Sequence, residues 1–241
     1  MTAQILFIAD LHLSIERPGI TRRFLDFLQE TAVQAEALYI LGDFFDAWIG
    51  DDDPTPPNTA VKKQLKKLTE AGTKVYFQQG NRDFLIGARF ARETGVILLD
   101  DHVVIDLFGV PTLLMHGDLL CTDDTAYQAF REKSHSSQWQ QNMLAKPLLL
   151  RMLIARWLRW RSHFHKSKKT LEIMDVNQQT VQETMRHYKA KRLIHGHTHR
   201  PAVHDLEIDG ETAQRFVLGN WTADTANCLS WTDKGYEITE L

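Results

Sequence analysis

Carboxylate, amide and imidazole groups follow five short apolar runs of this sequence, each at the point where a run ends. The residues that carry these groups are Asp10, His12, Asp43, Asn81, His116, His197 and His199. Glycine adjoins most of them, which allows the backbone to turn sharply or to approach a ligand closely. Because ligand sites of open α/β sheets form beyond the carboxyl ends of the strands, we expect these side chains to meet in one crevice.

These side chains are suited to binding metal. Aspartate oxygens combined with imidazole nitrogens suit Mn²⁺, Fe²⁺ or Zn²⁺ better than Mg²⁺ or Ca²⁺, which prefer oxygen alone. Seven ligands are too many for one ion with an open position, but they are enough for two ions that share a carboxylate. Two ions roughly 3.5–4 Å apart clamp a phosphoryl group and deprotonate the water between them. The residues therefore predict hydrolysis of a phosphate ester or anhydride.

The elements that must position this site are predicted from apolar periodicity. Strands are expected at Gln4–Ala9, Ala37–Leu41, Lys74–Gln79, Val103–Leu107, Thr112–Met115, Arg192–Ile194 and Arg215–Leu218. Helices are expected at Arg22–Ala35, after a turn at Pro18 and Gly19, and at Ala60–Glu70. Alternating strands and helices indicate a layered α/β domain, and the closely spaced later strands indicate partly antiparallel pairing.

The stretch from Tyr127 to Tyr188 lacks strand patterning and is predicted to be helical, with a break at Pro147. We therefore expect a core of residues 1–126 and 189–241 with a helical insertion, residues 127–188, that covers the site. The segment from Lys133 to Leu171 holds nine Lys and Arg residues and no acidic residue, although the net charge of the chain is −3. A basic segment on an acidic body predicts an anionic partner bound at one place, and the overall charge argues against nucleic acid.

The composition is that of an ordinary globular chain, with 43% hydrophobic and 24% charged residues among 241. Two cysteines support no disulfide framework, which suits a reducing compartment. Residues 1–9 are too short and too uncharged for a signal peptide, and no run of 18 apolar residues predicts a membrane span. We expect a cytosolic chain that acts as a monomer.

Five ordered motifs, D-x-H, G-D, G-N-R-D, H-G-D and G-H-x-H, resemble the calcineurin-like metallophosphoesterase superfamily. The resemblance extends from Asp10 to His199 and implies a four-layer α/β/β/α sandwich. It also implies that one metal is held by Asp10, His12, Asp43 and His199, and the other by Asp43, Asn81, His116 and His197, with Asp43 bridging them.

Arg82 departs from the superfamily pattern G-N-H-[DE], in which the histidine is thought to assist the leaving group. Arginine stays protonated, so Arg82 cannot shuttle a proton, but it can neutralise charge that develops on phosphate oxygens. An enzyme that expels an alkoxide would lack its acid, whereas a departing phosphate, with a last pKa of about 6, needs none. Arg82 therefore favours a pyrophosphate substrate.

G-N-R-D, together with ILGDFFDAWIGDDD, MHGDLLCTDD, IMDVNQ and LIHGHTHRPAVH, resembles one branch of the superfamily. This branch is the family of UDP-2,3-diacylglucosamine pyrophosphohydrolases of lipid A biosynthesis in Gram-negative bacteria. The resemblance implies hydrolysis at the α-phosphorus, giving UMP and 2,3-diacylglucosamine 1-phosphate (lipid X). It also implies two divalent ions per chain, expected to be Mn²⁺, and a peripheral position on the cytoplasmic side of the inner membrane.

The same resemblance implies substrate contacts from Asn81, Arg82, Asp124, Ser162, Lys169 and His197. Asn81, Arg82 and His197 are expected to stabilise the charge that develops during the reaction. The family more often has asparagine where this chain has Lys166, whose ammonium group can still meet the phosphates.

A helix over Leu148–Arg161 would carry an apolar stripe opposite Arg151 and Arg159. The stripe consists of Leu149, Leu150, Leu153, Ile154, Trp157 and Trp160. Such a helix lies in a membrane interface or lines an acyl-chain groove, or else it packs the stripe on its own core. The basic run 166–169 suits a diphosphate or anionic headgroups, or is an ordinary solvated face.

Two other functions fit parts of the sequence. A cyclic-nucleotide phosphodiesterase, protein phosphatase or nuclease of the same superfamily would act on soluble phosphoesters and tolerate loss of the apolar stripe. A non-enzymatic scaffold would keep the fold around a decayed site, which the presence of all seven ligand residues argues against.

Other polar residues near the motifs are not expected to bind metal. We expect His195 to be structural, and Asp118, Asp83 and Asp51–Asp53 to form turns or orient ligands. The side chains expected to be solvated are those of His102, His135, His187 and His204.

Overall fold

A computed structural model of the protein describes residues 3–166 and 175–241, with the side chains of 161–166 left out. One sheet contains six strands: β1 (Ile5–Ile8), β2 (Ala37–Leu41), β3 (Lys74–Gln78), β4 (Ile97–Leu99), β10 (Asn227–Thr232) and β11 (Gly235–Glu240). Their order is β11-β10-β1-β2-β3-β4. The strands from β1 to β4 run parallel, and β10 and β11 extend the sheet antiparallel beyond β1.

The second sheet contains five strands: β5 (Val103–Leu107), β6 (Val110–Leu114), β7 (Arg192–His195), β8 (Ala202–Ile208) and β9 (Glu211–Val217). Their order is β5-β6-β7-β9-β8. The three central strands β6, β7 and β9 are parallel, and the outer strands β5 and β8 pair antiparallel with their neighbours. The partly antiparallel character predicted for the later strands is confirmed.

Helices cover the outer face of each sheet. On the first sheet lie α1 (Pro18–Glu30), α2 (Asn58–Glu70) and α3 (Ala88–Thr94), which bury their apolar faces in one core cluster with that sheet. Phe7 and Tyr39 of the first sheet meet Ile194 and Phe216 of the second in the layer between the sheets. On the far side, α7 (Gln178–His187) packs on the second sheet. The four-layer α/β/β/α sandwich that the superfamily resemblance implied is therefore confirmed.

Between β6 and the start of α7, the regular elements of the described residues are helical. They are a short 3₁₀ turn at Asp118–Leu120, α4 (Thr125–His135), α5 (Ser137–Leu144) and α6 (Leu148–Lys166). Asp124 and Ser136 cap α4 and α5 by accepting backbone N–H groups of the first turn. Pro147 stands immediately before α6, where the predicted break falls, because proline cannot continue the hydrogen-bonded ladder of α5. Within the described ranges, no helix combines the length and the hydropathy needed to cross a bilayer.

Some helices and strands differ from those predicted, mainly where a short or partly polar segment forms a helix or a strand. Helix α1 begins at Pro18 rather than Arg22, since the fixed φ of proline suits the first turn of a helix. The short edge strand β4, the largely buried strand β10 and the more exposed strands β8 and β11 were not predicted. Strands β8, β10 and β11 have alternating or mixed polarity and lack the continuous apolar run on which the prediction of buried strands depended, while β4 is apolar but only 3 residues long.

Candidate active site

The two sheets bring five strand ends to one edge of the molecule. In the first sheet β1, β2 and β3 are parallel neighbours, and in the second β6 and β7 are parallel neighbours. Their carboxyl ends carry the seven residues that the sequence singled out as possible ligands. Backbone hydrogen bonds connect these loops, from the N–H of Asp10 to Gly42 (3.1 Å) and from that of Gly196 to His116 (2.9 Å).

One group of donors consists of Asp10, His12 and His199. A ligand atom from each of the three lies within 4.8 Å of the others. The Nε2 atoms of His12 and His199 are 3.2 Å apart, and Nε2 of His199 lies 3.3 Å from Oδ1 of Asp10. Asp10 and His12 are buried, while His199 is partly exposed at the mouth of the site.

The second group is built from Asn81, His116 and His197. Oδ1 of Asn81 lies 3.1 Å from Nε2 of His116 and 2.9 Å from Nδ1 of His197. The two imidazole nitrogens are 3.3 Å apart. Three electron-pair donors thus face one another at distances that a shared cation would satisfy.

Asp43 stands between the two groups. Its Oδ1 is 3.7 Å from Nε2 of His116, and its Oδ2 is 3.9 Å from Nδ1 of His12. Asp10, Asp43 and His116 also form a set whose ligand atoms lie within 4.8 Å of one another. A carboxylate in this position can offer one oxygen to each of two cations.

The backbone at the site is held in an uncommon conformation. Within the described ranges, eight non-glycine residues have a positive φ. Five of them are the predicted ligands Asp10, His12, Asp43, His197 and His199, with φ between 50° and 70°. Since this region is unfavourable for residues with a Cβ, such conformations persist where the surrounding structure imposes them, and they concentrate at functional sites.

Glycines beside the ligands permit the close approach of the loops. A Cβ on Gly80 would lie 2.2 Å from the backbone nitrogen of Asp43, and one on Gly42, whose φ is +83°, would lie 2.5 Å from Nδ1 of His116. That nitrogen of His116 also lies 2.9 Å from the carbonyl oxygen of Leu41, which fixes the ring orientation and leaves Nε2 toward the site. Larger residues at either glycine would push ligand-bearing loops apart.

Burial and neighbouring charges set the protonation of the site. Burial raises the pKa of Asp43 to about 7. Burial opposes the ionisation of Asp10, but the adjacent His199 and the nearby His116 and His12 hold its pKa at about 2. Burial, assisted by the positive charge of Arg82, lowers the pKa of His12 to about 2, so its imidazole is neutral and retains a lone pair for a metal. Against the effect of burial, the carboxyls of Asp43 and Asp10 raise the pKa of His116.

The donor set fits divalent transition metals. Oδ1 of Asp10 and Nδ1 of His12 are buried and have no hydrogen-bond partner within the described part of the chain. Buried polar atoms are normally paired, so such atoms need another partner. The mixture of carboxylate, amide and imidazole donors suits Mn²⁺, Fe²⁺, Co²⁺ or Zn²⁺.

Arg82 is anchored beside the central carboxylate. Its backbone N–H donates to Oδ1 of Asp43 at 2.9 Å, and its Nε lies 3.4 Å from Oδ2 of the same residue. The side chain is 28% exposed, so solvent or a ligand can reach it. A fixed guanidinium here can neutralise charge on a phosphoryl group next to the donors, but it cannot donate a proton.

Two buried carboxylates brace the ligand loops. Asp83 accepts hydrogen bonds from the backbone N–H groups of Gly80 (2.8 Å) and Phe44 (2.7 Å), connecting the loops that follow β2 and β3. Asp118 accepts from Nε of Arg131 at 2.6 Å and from the hydroxyl of Tyr127. Burial opposes the ionisation of Asp118, but His116 and Arg131 lower its pKa and keep it charged. Both residues thus form the turns and supports predicted for them, and Asp118 also attaches α4 to the site.

Other predicted supporting residues lie around this centre. Asp51 caps α3 by accepting from the N–H groups of Gly87 and Phe90. His195 is fully buried, and burial together with the charge of Arg215 lowers its pKa to about 3, which suits a structural role. The solvated placement predicted for His102 and His135 is wrong, because these half-buried rings stack on Tyr188 and Phe84 respectively.

The structure describes the side chains of only some of the predicted substrate-binding residues. Asn81, Arg82 and His197 belong to the cluster described above. Asp124 lies at the start of α4, where its carboxylate accepts from the N–H of Tyr127 at 3.1 Å. Ser162 and Lys166 lie on α6 in the part whose side chains are not described, and Lys169 lies outside the described residues.

Sequence reasoning missed the groups that attach the helices to the site. Asp46 forms ion pairs with Arg82 and Arg159, while Tyr127 and Arg131 hold Asp118. A signal for Asp46 was present, since it stands among Phe44, Phe45 and Trp48, where a buried acid needs a charged partner.

Comparisons with known proteins point to the same chemistry. The family model for calcineurin-like phosphoesterases matches residues 3–201. A UDP-2,3-diacylglucosamine hydrolase of Enterobacter sp. (strain 638) is 52% identical over 236 residues, covering 98% of each chain. A protein of the same name from Salmonella arizonae is 55% identical over 216 residues, covering 90% of each. A solved archaeal phosphodiesterase matches 99% of both chains at 13% identity with a TM-score of 0.49.

Proposed function

Because the chain belongs to the calcineurin-like phosphoesterase family, we propose that it hydrolyses the pyrophosphate bond of UDP-2,3-diacylglucosamine at the α-phosphorus. The products are UMP and 2,3-diacylglucosamine 1-phosphate (lipid X), an intermediate of lipid A biosynthesis. The observation that carries the proposal is a complete set of seven donors with Arg82 beside them, in a chain more than 50% identical to hydrolases of this name.

The site is proposed to hold two divalent cations, with Mn²⁺ as the expected metal. Asp10, His12, Asp43 and His199 would hold one, and Asp43, Asn81, His116 and His197 the other. When bound, such cations lower the pKa of a coordinated water to about 7 and withdraw negative charge from phosphoryl oxygens. The two observations that support this assignment are the unpaired buried atoms of Asp10 and His12 and the central position of Asp43.

The protein's own groups then orient and stabilise the phosphoryl centre. Asn81 and His197 belong to the second donor group. Arg82 places its positively charged guanidinium next to Asp43. These three residues are proposed to stabilise the negative charge that develops on the non-bridging oxygens. The leaving group is a sugar phosphate with a last pKa of about 6, so it departs without a proton from an acid at the position of Arg82.

Helix α6 supports a lipid-linked substrate. Its Arg151 is 4% exposed and docks on Asp52, whereas Leu149, Leu153, Trp157 and Trp160 are between 53% and 66% exposed. Arg151 therefore lies against the protein, and most of the apolar stripe lies outside rather than on the core. Ile154 is the exception, since it packs partly against the first core cluster. We propose that this outward face contacts the acyl chains.

The remaining assignments extend the same proposal. Residues 127–188 would form a lid over the core of residues 1–126 and 189–241. Asp124, Ser162, Lys166 and Lys169 would contact the sugar and phosphates at its edge. The exposed stripe with its basic flank suits a monomer held peripherally on the cytoplasmic face of the inner membrane, where anionic headgroups attract Lys and Arg.

The experiment that tests the function measures hydrolysis of UDP-2,3-diacylglucosamine in detergent micelles with added Mn²⁺. We expect stoichiometric UMP and lipid X, loss of turnover in chelator, and recovery when Mn²⁺ is returned in excess. Cleavage restricted to simple esters such as bis(p-nitrophenyl) phosphate would retain the phosphoesterase chemistry but refute the lipid substrate.

A further inference from the structure

Asp46 is a buried carboxylate that faces two arginines from different parts of the chain. The residue is 1% exposed. Its Oδ1 lies 2.5 Å from Nη1 of Arg82, and its Oδ2 forms an ion pair with Nη2 of Arg159. The two oxygens of one carboxylate therefore join the loop after β3 to helix α6.

The loop that carries Asp46 is rigidly attached to the donor cluster. The N–H of Asp46 donates to the carbonyl oxygen of Leu13 at 3.1 Å, next to the ligand His12. The N–H of Trp48 donates to the carbonyl oxygen of Arg82 at 3.0 Å, so backbone and side chain of Arg82 are both held by this loop. The guanidinium of Arg82 contacts Asp46 through Nη1 and faces Asp43 through Nε, so the two carboxylates together fix its orientation.

Arg159 lies two turns along α6 from a separate anchor. At that anchor Arg151 donates from Nη1 and Nη2 to the carboxylate of Asp52, at 2.7 and 2.5 Å. The same Nη1 donates to the carbonyl oxygen of Ile49 at 2.7 Å. The start of α6 is thus fixed to the core independently of Asp46, and the contact with Asp46 controls the part of the helix nearer to Arg82.

Asp46 is shared by two guanidinium groups. Each guanidinium has five N–H donors, so several donors of Arg82 and Arg159 remain available beyond the contacts with Asp46. A carboxylate between two guanidinium groups also offsets their mutual repulsion, which would otherwise drive the side chains apart. The result is a fixed pair of cationic groups next to the phosphoryl site.

We propose that Asp46 is a positioning residue, which aligns Arg82 for charge stabilisation at the phosphoryl group and couples this alignment to the docking of α6 through Arg159. This inference rests on the proposed function for the identity of the natural substrate. The coupling itself concerns Arg82 and any phosphodiester bound at the same centre.

The test is a set of variants assayed for kcat and KM on UDP-2,3-diacylglucosamine. Asp46→Asn keeps the shape of the side chain and removes its charge, and we expect kcat to fall about 30-fold while KM changes less than about 3-fold. Arg159→Met removes the partner at a half-exposed position of α6 and is expected to lower kcat about 10-fold. The matched control is Asp52→Asn, which weakens the other anchor of α6 and should leave kcat within about 3-fold of the parent.

A double-mutant cycle separates positioning from simple stabilisation of the fold. In an Arg82→Met background, Asp46→Asn should cost less than about 3-fold, because its effect passes through Arg82. The proposal would be overturned if Asp46→Asn lowered kcat as much in the Arg82→Met background as in the parent protein. It would also be overturned if kcat were unchanged in Arg159→Met, or if Asp52→Asn lowered kcat as much as Arg159→Met does. Thermal midpoints measured for every variant check that the fold is retained.

The role of Asp46 can be tested independently of the proposed lipid substrate. If the parent protein fails to hydrolyse UDP-2,3-diacylglucosamine, the lipid assignment is wrong. The same cycle is therefore also run with bis(p-nitrophenyl) phosphate, on which non-additive losses for Asp46 and Arg82 are again expected. Additive losses there refute the positioning role, whatever the natural substrate.

Discussion

Asp43→Ala is expected to lower kcat for UDP-2,3-diacylglucosamine by about 10⁴-fold or more, the largest effect of any single substitution in the chain. Asp43 faces His12 through one carboxylate oxygen and His116 through the other, at 3.9 and 3.7 Å. Loss of a ligand shared by two cations should weaken both positions together. The measurements are steady-state kcat and metal content per chain by elemental mass spectrometry.

The matched control for this substitution is Asp26→Ala, which removes an exposed carboxylate on the outer helix α1. It should change neither kcat nor metal content. Circular dichroism establishes that both variants fold. Turnover near the parent value in Asp43→Ala, with two metals still bound, would refute the assignment of Asp43 as the bridging ligand.

Leu153→Ser combined with Trp157→Ser is expected to lower kcat/KM for the diacylated substrate about 100-fold, while kcat/KM for bis(p-nitrophenyl) phosphate stays within about 3-fold. Both side chains are more than half exposed, so each has apolar surface to bury against an acyl chain. A combined contribution of about 3 kcal/mol is typical for two partly exposed apolar side chains of this size, and about 1.4 kcal/mol corresponds to tenfold.

The control for the stripe is the pair Ile97→Ser and Ile238→Ser, which are 48% and 46% exposed on the edge strands β4 and β11. This pair should leave kcat/KM for both substrates unchanged. If the Leu153 and Trp157 substitutions reduce activity on both substrates equally and lower the thermal midpoint, the stripe serves packing rather than acyl contact.

Much of the fold was predictable because its central strands are buried on both faces. Strands such as β2, all of whose residues are buried, appear in the sequence as continuous apolar runs. The edge elements were not predictable on this basis. In β11, for example, Tyr236 and Ile238 alternate with polar residues on a half-solvated strand, and its pairing with β10 is a long-range property that no local pattern encodes.

The donor cluster was predictable for a related reason. Parallel strands bring their carboxyl ends to one edge, so residues such as Asp10 and His197, far apart in sequence, could be expected to meet. Their meeting is direct, since the N–H of His197 donates to Oδ2 of Asp10 at 2.7 Å. The left-handed backbone at both residues was not foreseen, because only the packing of the loops imposes it.

The way in which helix α6 attaches to the core could not be predicted from the sequence. A helical wheel places Arg151 and Arg159 opposite the apolar stripe, which ordinarily indicates a solvated face. Which face docks depends on partners elsewhere in the chain, in this case Asp52 and Asp46. The acids that receive α6 lie about one hundred residues earlier, so their pairing depends on the tertiary fold alone.

Hydrolysis of UDP-2,3-diacylglucosamine in water labelled with the heavy oxygen isotope tests the central claim most directly. Attack at the α-phosphorus, with the sugar phosphate as leaving group, predicts one labelled oxygen in UMP and none in the phosphate of lipid X, as read by mass spectrometry. Label in lipid X would place the attack on the other phosphorus, with UMP as the leaving group, and would contradict the proposed reaction at the α-phosphorus.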